Sequence, residues 1–290
     1  MIANALQDYT DDGHQSGWEN MLFPVQRLSE KKLAAALAHK TIMITGASYG
    51  IGAGLARLCS MYDTKLVLVA RTAERLQILA ETCSSTHCTI TCCTADLREE
   101  KDISGLLEFL QQEKIVVDIL ISNAGKSIYR LLEDSMDRFG DTKRCAATNY
   151  TGPVQLLLGL LPGIIERKGH IINVSAINVL LPPAVGWSAY QSSKAALDQW
   201  LRCAEPELNA KGVHISNIYL PLVRTRMSMV NEHKKRQPAM SKEKAVRLIG
   251  RYLVSKKRKY SPWWVRLPVA AAGLFPDLYY HIQLKKQNRN

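Results

Sequence analysis

Cysteine is present in this sequence but never in a CxxC pair, the spacing typical of zinc sites and redox-active dithiols. The seven cysteines are odd in number, and Cys88, Cys92 and Cys93 share one apolar stretch. Cysteines in such a stretch are more often reduced side chains packed in a core than metal ligands. We therefore expect no metal site. A signal peptide is also lacking, which favours a reducing, cytoplasmic compartment.

Acidic residues are scarce in one part of the chain and abundant in another. Residues 251–290 contain nine Lys or Arg and a single acidic residue, whereas the first twenty residues contain four acidic residues and no Lys or Arg. The net charge of +12 is therefore concentrated in the C-terminal tail. Because the excess charge is not spread over the central region, a nucleic-acid-binding globular surface is not indicated.

The central region alternates short apolar runs with helical patterns. The apolar runs are TIMITG (41–46), KLVLVA (65–70), TITCC (89–93), VVDILIS (116–122), HIINVS (170–175) and HISNIY (214–219), and helical stretches at 50–62, 72–84, 99–113 and 140–166 lie between them. Fully apolar strands alternating with helices predict an α/β fold with a doubly wound, Rossmann-like parallel sheet.

Three regions follow from this pattern. Residues 1–39 form an N-terminal extension in which LSEKKLAAALAH (28–39) predicts a short amphipathic helix capped by Ser29. Residues 40–254 form a single catalytic domain. Residues 255–290 form a basic, aromatic tail.

A glycine-rich turn lies between the first strand and the first helix of the domain. Glycines at such a turn let backbone N–H groups approach a pyrophosphate, and the helix N-terminus adds partial positive charge. The candidate cofactor-binding residues of this turn are Thr45, Gly46, Ser48, Tyr49, Gly50, Ile51 and Gly52.

Polar residues at the ends of the next strands extend the candidate cofactor site. Arg71 follows the second strand, where an acidic residue would bind a ribose 2′-hydroxyl and an arginine suits a 2′-phosphate. The sequence thus favours NADP(H) over NAD(H), although an arginine at a strand end is also a common surface residue. Further candidates at strand ends are Asp96, Leu97, Asn123, Ala124 and Gly125.

These motifs, taken together, resemble the short-chain dehydrogenase/reductase family. They are TGxxxGxG at the first strand, NAG after the fourth, Asn149 in a helix and YxxxK at 190–194, and the resemblance covers residues 41 to about 230. A narrower resemblance lies in NAGKSIYRLLEDSMDRFGD, in ATNYTGPVQLLLGLLPGIIERKGHIINVS and in SAYQSSKAALDQWLRCAEPEL. These stretches are similar to the branch that contains bacterial long-chain fatty acyl-CoA reductases.

The resemblance implies a catalytic role for three residues. Tyr190 is the general acid that protonates a carbonyl oxygen, and Lys194, one helical turn on, lies beside the phenol and is expected to lower its pKa. Asn149 holds a water that passes protons on through Lys194. The resemblance also implies that Thr225 binds the nicotinamide carboxamide, with Pro221 and Val223 in the same cofactor-binding loop.

One family residue is missing. The resemblance implies two serines at the end of the fifth strand, the second of which hydrogen-bonds the substrate carbonyl, but Ala176 occupies that second position. Three interpretations remain open: Ser175 takes over the role, Asn178 supplies the donor, or the site is weakened. We favour a working enzyme that uses Ser175. The alternative is a strand-end serine that caps its own backbone.

The last region leaves two interpretations open. Lys256, Lys257, Arg258 and Lys259 precede a pair of tryptophans, but no apolar run reaches the roughly 20 residues that a membrane-spanning helix needs. A basic cluster beside aromatic residues suits peripheral contact with a membrane surface, and it equally suits packing on the protein or on a partner subunit. Family resemblance implies a homodimer or homotetramer.

The sequence therefore predicts an NADPH-dependent carbonyl reductase acting on a hydrophobic acyl-chain substrate, either a long-chain acyl-CoA or a fatty aldehyde. Two alternatives remain. One is a reductase of a ketone, such as a 3-ketoacyl, sterol-like or polyketide intermediate. The other is a membrane-associated NADPH-binding protein with little catalysis, which the alanine at position 176 keeps open.

Overall fold

The computed structural model describes residues 17–83, 87–229 and 237–287. Among them is one parallel sheet of seven strands in the order β3-β2-β1-β4-β5-β6-β7. The strands are Lys40–Thr45 (β1), Thr64–Ala70 (β2), Cys88–Thr94 (β3), Ile119–Ser122 (β4), His170–Ala176 (β5), His214–Leu220 (β6) and Lys259–Tyr260 (β7). The order reverses direction between β1 and β4, which makes the doubly wound topology and places a switch point at that pair.

Helices connect the strands. They are Gly17–Leu22 (α1), Glu30–Leu37 (α2), Gly50–Ser60 (α3), Ala73–Thr82 (α4), Glu100–Gln112 (α5), Phe139–Ala146 (α6), Gly152–Glu166 (α7), Ser188–Ala210 (α8), Arg226–Met229 (α9), Lys242–Ser255 (α10), Arg266–Leu274 (α11) and Pro276–Gln287 (α12). A π-helical turn at Ala147–Thr151 joins α6 to α7. The predicted fold class is confirmed.

Two hydrophobic clusters cover the two faces of the sheet. Side chains alternate along each strand, so Ile42 and Ile44 of β1 join one cluster while Met43 joins the other. The first cluster packs α2, α3 and α10 on the sheet, and the second packs α5, α7 and α8. Burial on both faces explains why these strands are apolar at nearly every position.

The fourth strand is shorter than its sequence pattern predicted. The apolar pattern began at 116, but β4 begins at Ile119, and the side chain of the preceding Asp118 bonds to the start of β1. Its Oδ2 accepts from the Thr41 backbone N–H at 2.9 Å, and its Oδ1 accepts from Lys40 Nζ at 3.1 Å. Asp118 therefore ties the start of β4 to the start of β1.

Segments outside residues 40–254 pack on this core. Ser29 caps α2 by accepting from the Lys32 N–H, and Leu33 and Leu37 are fully buried against α10, as the predicted amphipathic helix requires. After α10, β7 pairs with β6 and adds an edge strand that the sequence pattern did not predict. Two residues are too few to show an alternating pattern, so that pattern gave no signal.

The remaining tail forms α11 and α12. Within the described part of the chain, no helix combines the length and hydropathy that crossing a membrane requires. Residues 230–236, which separate α9 from α10 in the chain, lie outside the described residues.

Candidate active site

A cavity of about 1250 Å³ opens at the carboxyl ends of the strands, at the switch point between β1 and β4. Its lining brings together most of the residues that the sequence singled out. These are Gly46, Ser48, Tyr49, Gly50, Ile51, Arg71, Asp96, Leu97, Asn123, Ala124, Gly125, Ser175, Tyr190, Lys194, Pro221, Val223 and Thr225. The other three candidates, Thr45, Gly52 and Asn149, are not among the lining residues.

The glycine-rich turn has the geometry that a dinucleotide pyrophosphate needs. Gly46 and Gly50 have φ values of 65° and 58°, in the left-handed region that favours glycine. At Gly52 a Cβ would lie 2.3 Å from the Gly46 carbonyl oxygen, so only glycine allows α3 to begin this close to β1. The N-terminal N–H groups of α3 therefore reach the cavity, and the turn fits a pyrophosphate group.

Thr45 holds the two sides of the switch point together. Its Oγ1 accepts from the backbone N–H groups of Asn123 and Ala124, both at 3.0 Å. In the other direction, the Asn123 side chain donates from Nδ2 to the Thr45 carbonyl at 3.0 Å. Thr45 is thus a support for the cofactor turn, and its side chain is buried beneath the cavity.

The far end of the cavity carries an ion pair between Asp96, which the sequence analysis named, and Arg98, which it did not. Asp96 is bound by Arg98, whose Nε lies 2.9 Å and 3.0 Å from the two carboxylate oxygens. Burial opposes ionisation of Asp96, but the hydrogen bonds from Arg98 outweigh it and lower its pKa. Arg71 lines the same end and adds to that lowering. Sequence reasoning missed Arg98.

Tyr49 is held between two further arginines. The guanidinium carbons of Arg226 and Arg75 lie 4.9 Å and 5.4 Å from its ring centroid. These cation–π contacts join the cofactor turn to α9 and α4. The positive charge at this end therefore does not depend on Arg71 alone.

Tyr190 and Lys194 face the cavity from the first turns of α8. Burial, and then the neighbouring Cys145, raise the pKa of Tyr190 to about 12, so its phenol is protonated at neutral pH. Burial lowers the pKa of Lys194 to about 8, and its Nζ donates to the Val174 carbonyl at 3.3 Å. The expected lowering of the Tyr190 pKa by Lys194 is not found, because desolvation of the phenol dominates.

Asn149 is fully buried in the π-helical turn between α6 and α7. Its Nδ2 donates to the Lys126 carbonyl at 2.8 Å and to Ser193 Oγ at 2.9 Å, and its Oδ1 accepts from the Lys126 N–H at 2.8 Å. The side chain therefore anchors the loop after β4 to α8. Both amide protons of the Asn149 side chain are engaged in these bonds.

Ser175, the second-last residue of β5, is one of the residues that line the cavity. The residue is 5% exposed, and among the described residues its Oγ has no hydrogen-bond partner. A serine that capped its own backbone would show a bond to a nearby carbonyl or N–H. A buried hydroxyl without a hydrogen-bond partner costs free energy. The Ser175 hydroxyl is therefore free to donate a hydrogen bond to a bound ligand. Asn178 also lines the cavity.

An aromatic wall and an ion-pair cluster complete the cavity, and sequence reasoning missed both. The ring of Trp187 lies 5.3 Å from that of Tyr129 and 5.6 Å from that of Tyr190. Beside this wall, Asp141 binds Arg130 and Arg144, which both line the cavity. The i, i+3 spacing of Asp141 and Arg144 was visible in the sequence, but Arg130 lies on a separate loop.

With this geometry in place, comparison with known proteins identifies the family. The family model for short chain dehydrogenase matches residues 40–236, more than half of the chain. The chain belongs to the short chain dehydrogenase family. That membership makes it an oxidoreductase, in agreement with the tyrosine and lysine pair in the cavity.

Two curated relatives are named as fatty acyl-CoA reductases. One, from Acinetobacter baylyi, is 38% identical over 240 residues, which cover 82% of this chain and 81% of the relative. The other, from Mycobacterium tuberculosis, is 39% identical over 192 residues, which cover 66% of this chain and 65% of the relative. Both are similar to this chain at a level that supports the branch resemblance found in the sequence.

Solved structures show the same fold. A short-chain dehydrogenase from Sphingobium yanoikuyae, solved in complex with NADPH, superposes with a TM-score of 0.69. It is 24% identical, and the match covers 85% of this chain and 95% of that one.

Proposed function

We propose that this chain is an NADPH-dependent reductase of the carbonyl group of a long acyl chain, carried as an acyl-CoA thioester or as a fatty aldehyde. The observation that carries the proposal is the convergence of Tyr190, Lys194 and the unpaired Ser175 hydroxyl on one cavity. The fatty acyl-CoA reductases among the relatives support the substrate class.

The proposed cofactor is NADPH, which supplies a hydride when bound. The glycine turn holds its pyrophosphate, and Arg71 meets a 2′-phosphate. Thr225, close to Gly50 across the cavity, is placed to hold the carboxamide. Arg75 and Arg226, which contact Tyr49, add positive charge beside the pyrophosphate and the 2′-phosphate of the cofactor, whose negative charges would otherwise repel each other.

The chain's own residues handle the carbonyl oxygen. Ser175 donates a hydrogen bond to it, and Tyr190 gives up its proton as negative charge develops there. Lys194, with its lowered pKa, replaces that proton from the solvent side. For an aldehyde the product is an alcohol. For a thioester the resulting hemithioacetal expels the thiol and leaves an aldehyde, so no nucleophilic cysteine is required.

The size of the cavity suits a long substrate beside a dinucleotide. Pockets for one drug-sized ligand commonly span about 300–1,000 Å³. This cavity is about 1250 Å³, and Leu131, Leu181 and Leu222 contribute apolar lining. Met227 also lines it, a flexible side chain suited to an acyl chain.

The test is NADPH consumption by purified protein with a long-chain acyl-CoA, a long-chain aldehyde and a 3-ketoacyl thioester. We expect turnover of the first two and its loss in Tyr190→Phe, with NADPH binding retained. Turnover of the ketone alone would replace the proposal with ketone reduction. Tight NADPH binding without turnover of any of the three would favour the non-catalytic alternative.

Two assembly proposals accompany this function. We propose that α11 and α12 dock on an anionic membrane surface, because exposed apolar residues such as Leu267, Leu274 and Leu278 lie there between basic residues at the two ends of the segment. Trp263, just before α11, is 59% exposed, and Tyr279 in α12 donates to the Pro183 carbonyl at 2.7 Å, which fixes the tail beside the loop of the cavity. A tail in that position would present the cavity to lipid-borne substrates.

We also propose a homodimer through α7 and α8. The apolar side chain of Leu158 on α7 is 54% exposed, and family resemblance points to these two helices. Light scattering on Leu158→Lys tests this: a dimeric wild type and a monomeric variant are expected, and a monomeric wild type contradicts it.

A further inference from the structure

The Asp141 cluster is built differently from an ordinary surface ion pair. Asp141 on α6 is 5% exposed, and its two oxygens bind Arg130 and Arg144 separately. One carboxylate thus holds two guanidinium groups, and one positive charge is left over. The hydrogen bonds from Arg144 and then Arg130 hold the pKa of Asp141 below its ordinary value, so the carboxylate stays ionised.

The unbalanced charge faces the cavity. Arg130, Arg144 and Lys126 line it, and Asp134 is the opposing charge in the same region. Counting Asp141, three cations face two carboxylates. Arg130 uses Nε for Asp141, and no other partner of its guanidinium is found among the described residues. Each arginine therefore keeps donors for another acceptor.

The cluster lies on the substrate side of the catalytic tyrosine. The Arg130 backbone N–H donates to the Gly186 carbonyl at 2.9 Å, four residues before Tyr190. Arg130 also follows Tyr129, whose ring contacts Trp187. The cofactor turn and Arg71, in contrast, follow β1 and β2 on the opposite side of the switch point. The phosphates of the dinucleotide therefore have a separate basic region, and this cluster is available to another ligand.

We infer that Arg130 and Arg144, oriented by Asp141, bind a phosphate of the group that carries the acyl thioester, either coenzyme A or a phosphopantetheine arm. The inference rests on the proposed function. Guanidinium groups match phosphate oxygens in pairs, and a buried carboxylate that fixes two of them reduces the ordering cost of binding. The carrier phosphate would set the thioester carbonyl beside Tyr190, and a free aldehyde would not use the cluster.

The first experiment measures binding and needs no turnover. Coenzyme A and 4′-phosphopantetheine are titrated separately against the NADPH-loaded protein, followed by the fluorescence of tryptophan, since Trp187 stands in the adjoining wall. We expect Arg144→Gln to weaken binding about tenfold. The matched control is Lys143→Gln, which removes one positive charge from the same helix at a residue outside the lining. Equal effects of both variants would overturn the inference.

The two ligands also separate the sources of the phosphate. Equal affinity for coenzyme A and 4′-phosphopantetheine would support recognition of the phosphate next to pantetheine. Tighter binding of coenzyme A, again weakened by Arg144→Gln, would support recognition of its nucleotide phosphates. Binding of neither ligand to the wild type would overturn the inference.

The second experiment compares three substrates with the same hexadecanoyl chain: the coenzyme A thioester, the N-acetylcysteamine thioester and the aldehyde. Arg144→Gln should raise KM about tenfold for the coenzyme A thioester alone, with kcat unchanged. A similar rise for all three would assign the cluster to general packing and overturn the inference. Absence of turnover in the wild type would instead count against the proposed function, while the binding experiment still decides on the cluster.

Discussion

At the scale of single residues, the resemblance to the family implies a hydroxyl group at position 176 that this chain lacks. Ala176 takes away the usual donor, but Ser175, one position earlier, places a buried and unpartnered Oγ in the cavity lining. Position along the strand would have set the two side chains on opposite faces. Both residues nevertheless belong to the lining of the cavity, because they lie at the carboxyl end of β5, where the cavity opens.

Ser175→Ala tests whether Ser175 donates the hydrogen bond to the substrate carbonyl. We expect kcat to fall by about 10²–10³, the usual loss for one donor to a developing oxyanion. NADPH affinity should be unchanged, because the cofactor turn lies on other strands. Asn178→Ala is the matched control, from the same cavity wall. A large loss in the control with little loss in Ser175→Ala would move the role to Asn178.

Lys194 predicts how the reaction depends on pH. Because its pKa is about 8, Lys194 is protonated below that pH and loses its proton above it. If Lys194 replaces the proton that Tyr190 gives to the substrate, kcat/KM for reduction should stay constant below pH 8. Above pH 8 it should fall about tenfold per pH unit. In Lys194→Arg the guanidinium stays charged, so the fall should disappear although the rate is lower. A fall that persists in this variant contradicts the assignment.

At the scale of elements, the connection between β1 and α3 determines whether a cofactor can bind. Thr45 and Asn123 tie this connection to β4, and Gly52 lets the helix begin against the strand. The same element thus serves both the packing of the sheet and the approach to the pyrophosphate. A change there should affect stability and binding together.

Gly52→Ala is the test of that element. Its Cβ would lie 2.3 Å from the Gly46 carbonyl oxygen, so the turn must shift. We expect a loss of stability of about 1–3 kcal/mol, as for other overpacked sites, and weaker NADPH binding by at least tenfold. Thermal unfolding and fluorescence titration measure the two effects.

Gly105→Ala is the control for that experiment. Gly105 lies in α5 with no atom within 4 Å of its Cβ position. Alanine there should stabilise the protein by about 0.5–1 kcal/mol through helix propensity, without a change in NADPH affinity. Unaltered cofactor binding in Gly52→Ala would contradict the proposed use of the turn.

At the scale of the whole molecule, described segments before residue 40 and after residue 254 both contact the region between them. Glu19 in α1 binds Arg224 at 2.5 Å and the Ala239 N–H at 3.0 Å, and the Phe23 ring meets that of Trp264 at 6.5 Å. The N-terminal helices thus brace the loop that carries Thr225, and the tail leads away from the same region. The exposed apolar residues of α11 and α12 are therefore held in one place relative to the cavity.

Removal of tail charge tests the proposed membrane contact. Arg266→Gln with Lys285→Gln should weaken binding to phosphatidylglycerol vesicles about 30-fold, since each basic residue near an anionic surface contributes about 1 kcal/mol. The control pair, Lys101→Gln with Lys114→Gln, removes the same charge at α5 and should have little effect. Cosedimentation measures both. Equal binding of the wild type to phosphatidylcholine vesicles would contradict an electrostatic contact.

The sequence alone predicted six of the seven strands, most of the helices between them and many of the residues that line the cavity. Buried strands appear in the sequence as apolar runs, and packed helices appear as apolar residues at helical spacing. The glycine turn and YxxxK are motifs of fixed spacing. Each of these features can be recognised within a few consecutive residues. β7 was not predicted, because two edge residues show no alternation. The side-chain bonds of Asp118, just before β4, were not predicted either, because their partners lie 77 and 78 residues away.

Only the tertiary structure decided which polar groups find hydrogen-bond partners and which remain unpaired. The unpaired Ser175 hydroxyl, the Asn149 anchor on Lys126 and the Asp141 cluster all depend on contacts between segments far apart in the chain. The same holds for the pKa of Tyr190, which is raised by burial and then by Cys145, a residue far away in the chain. Desolvation and hydrogen-bond pairing are properties of the folded arrangement, so no local pattern in the sequence records them.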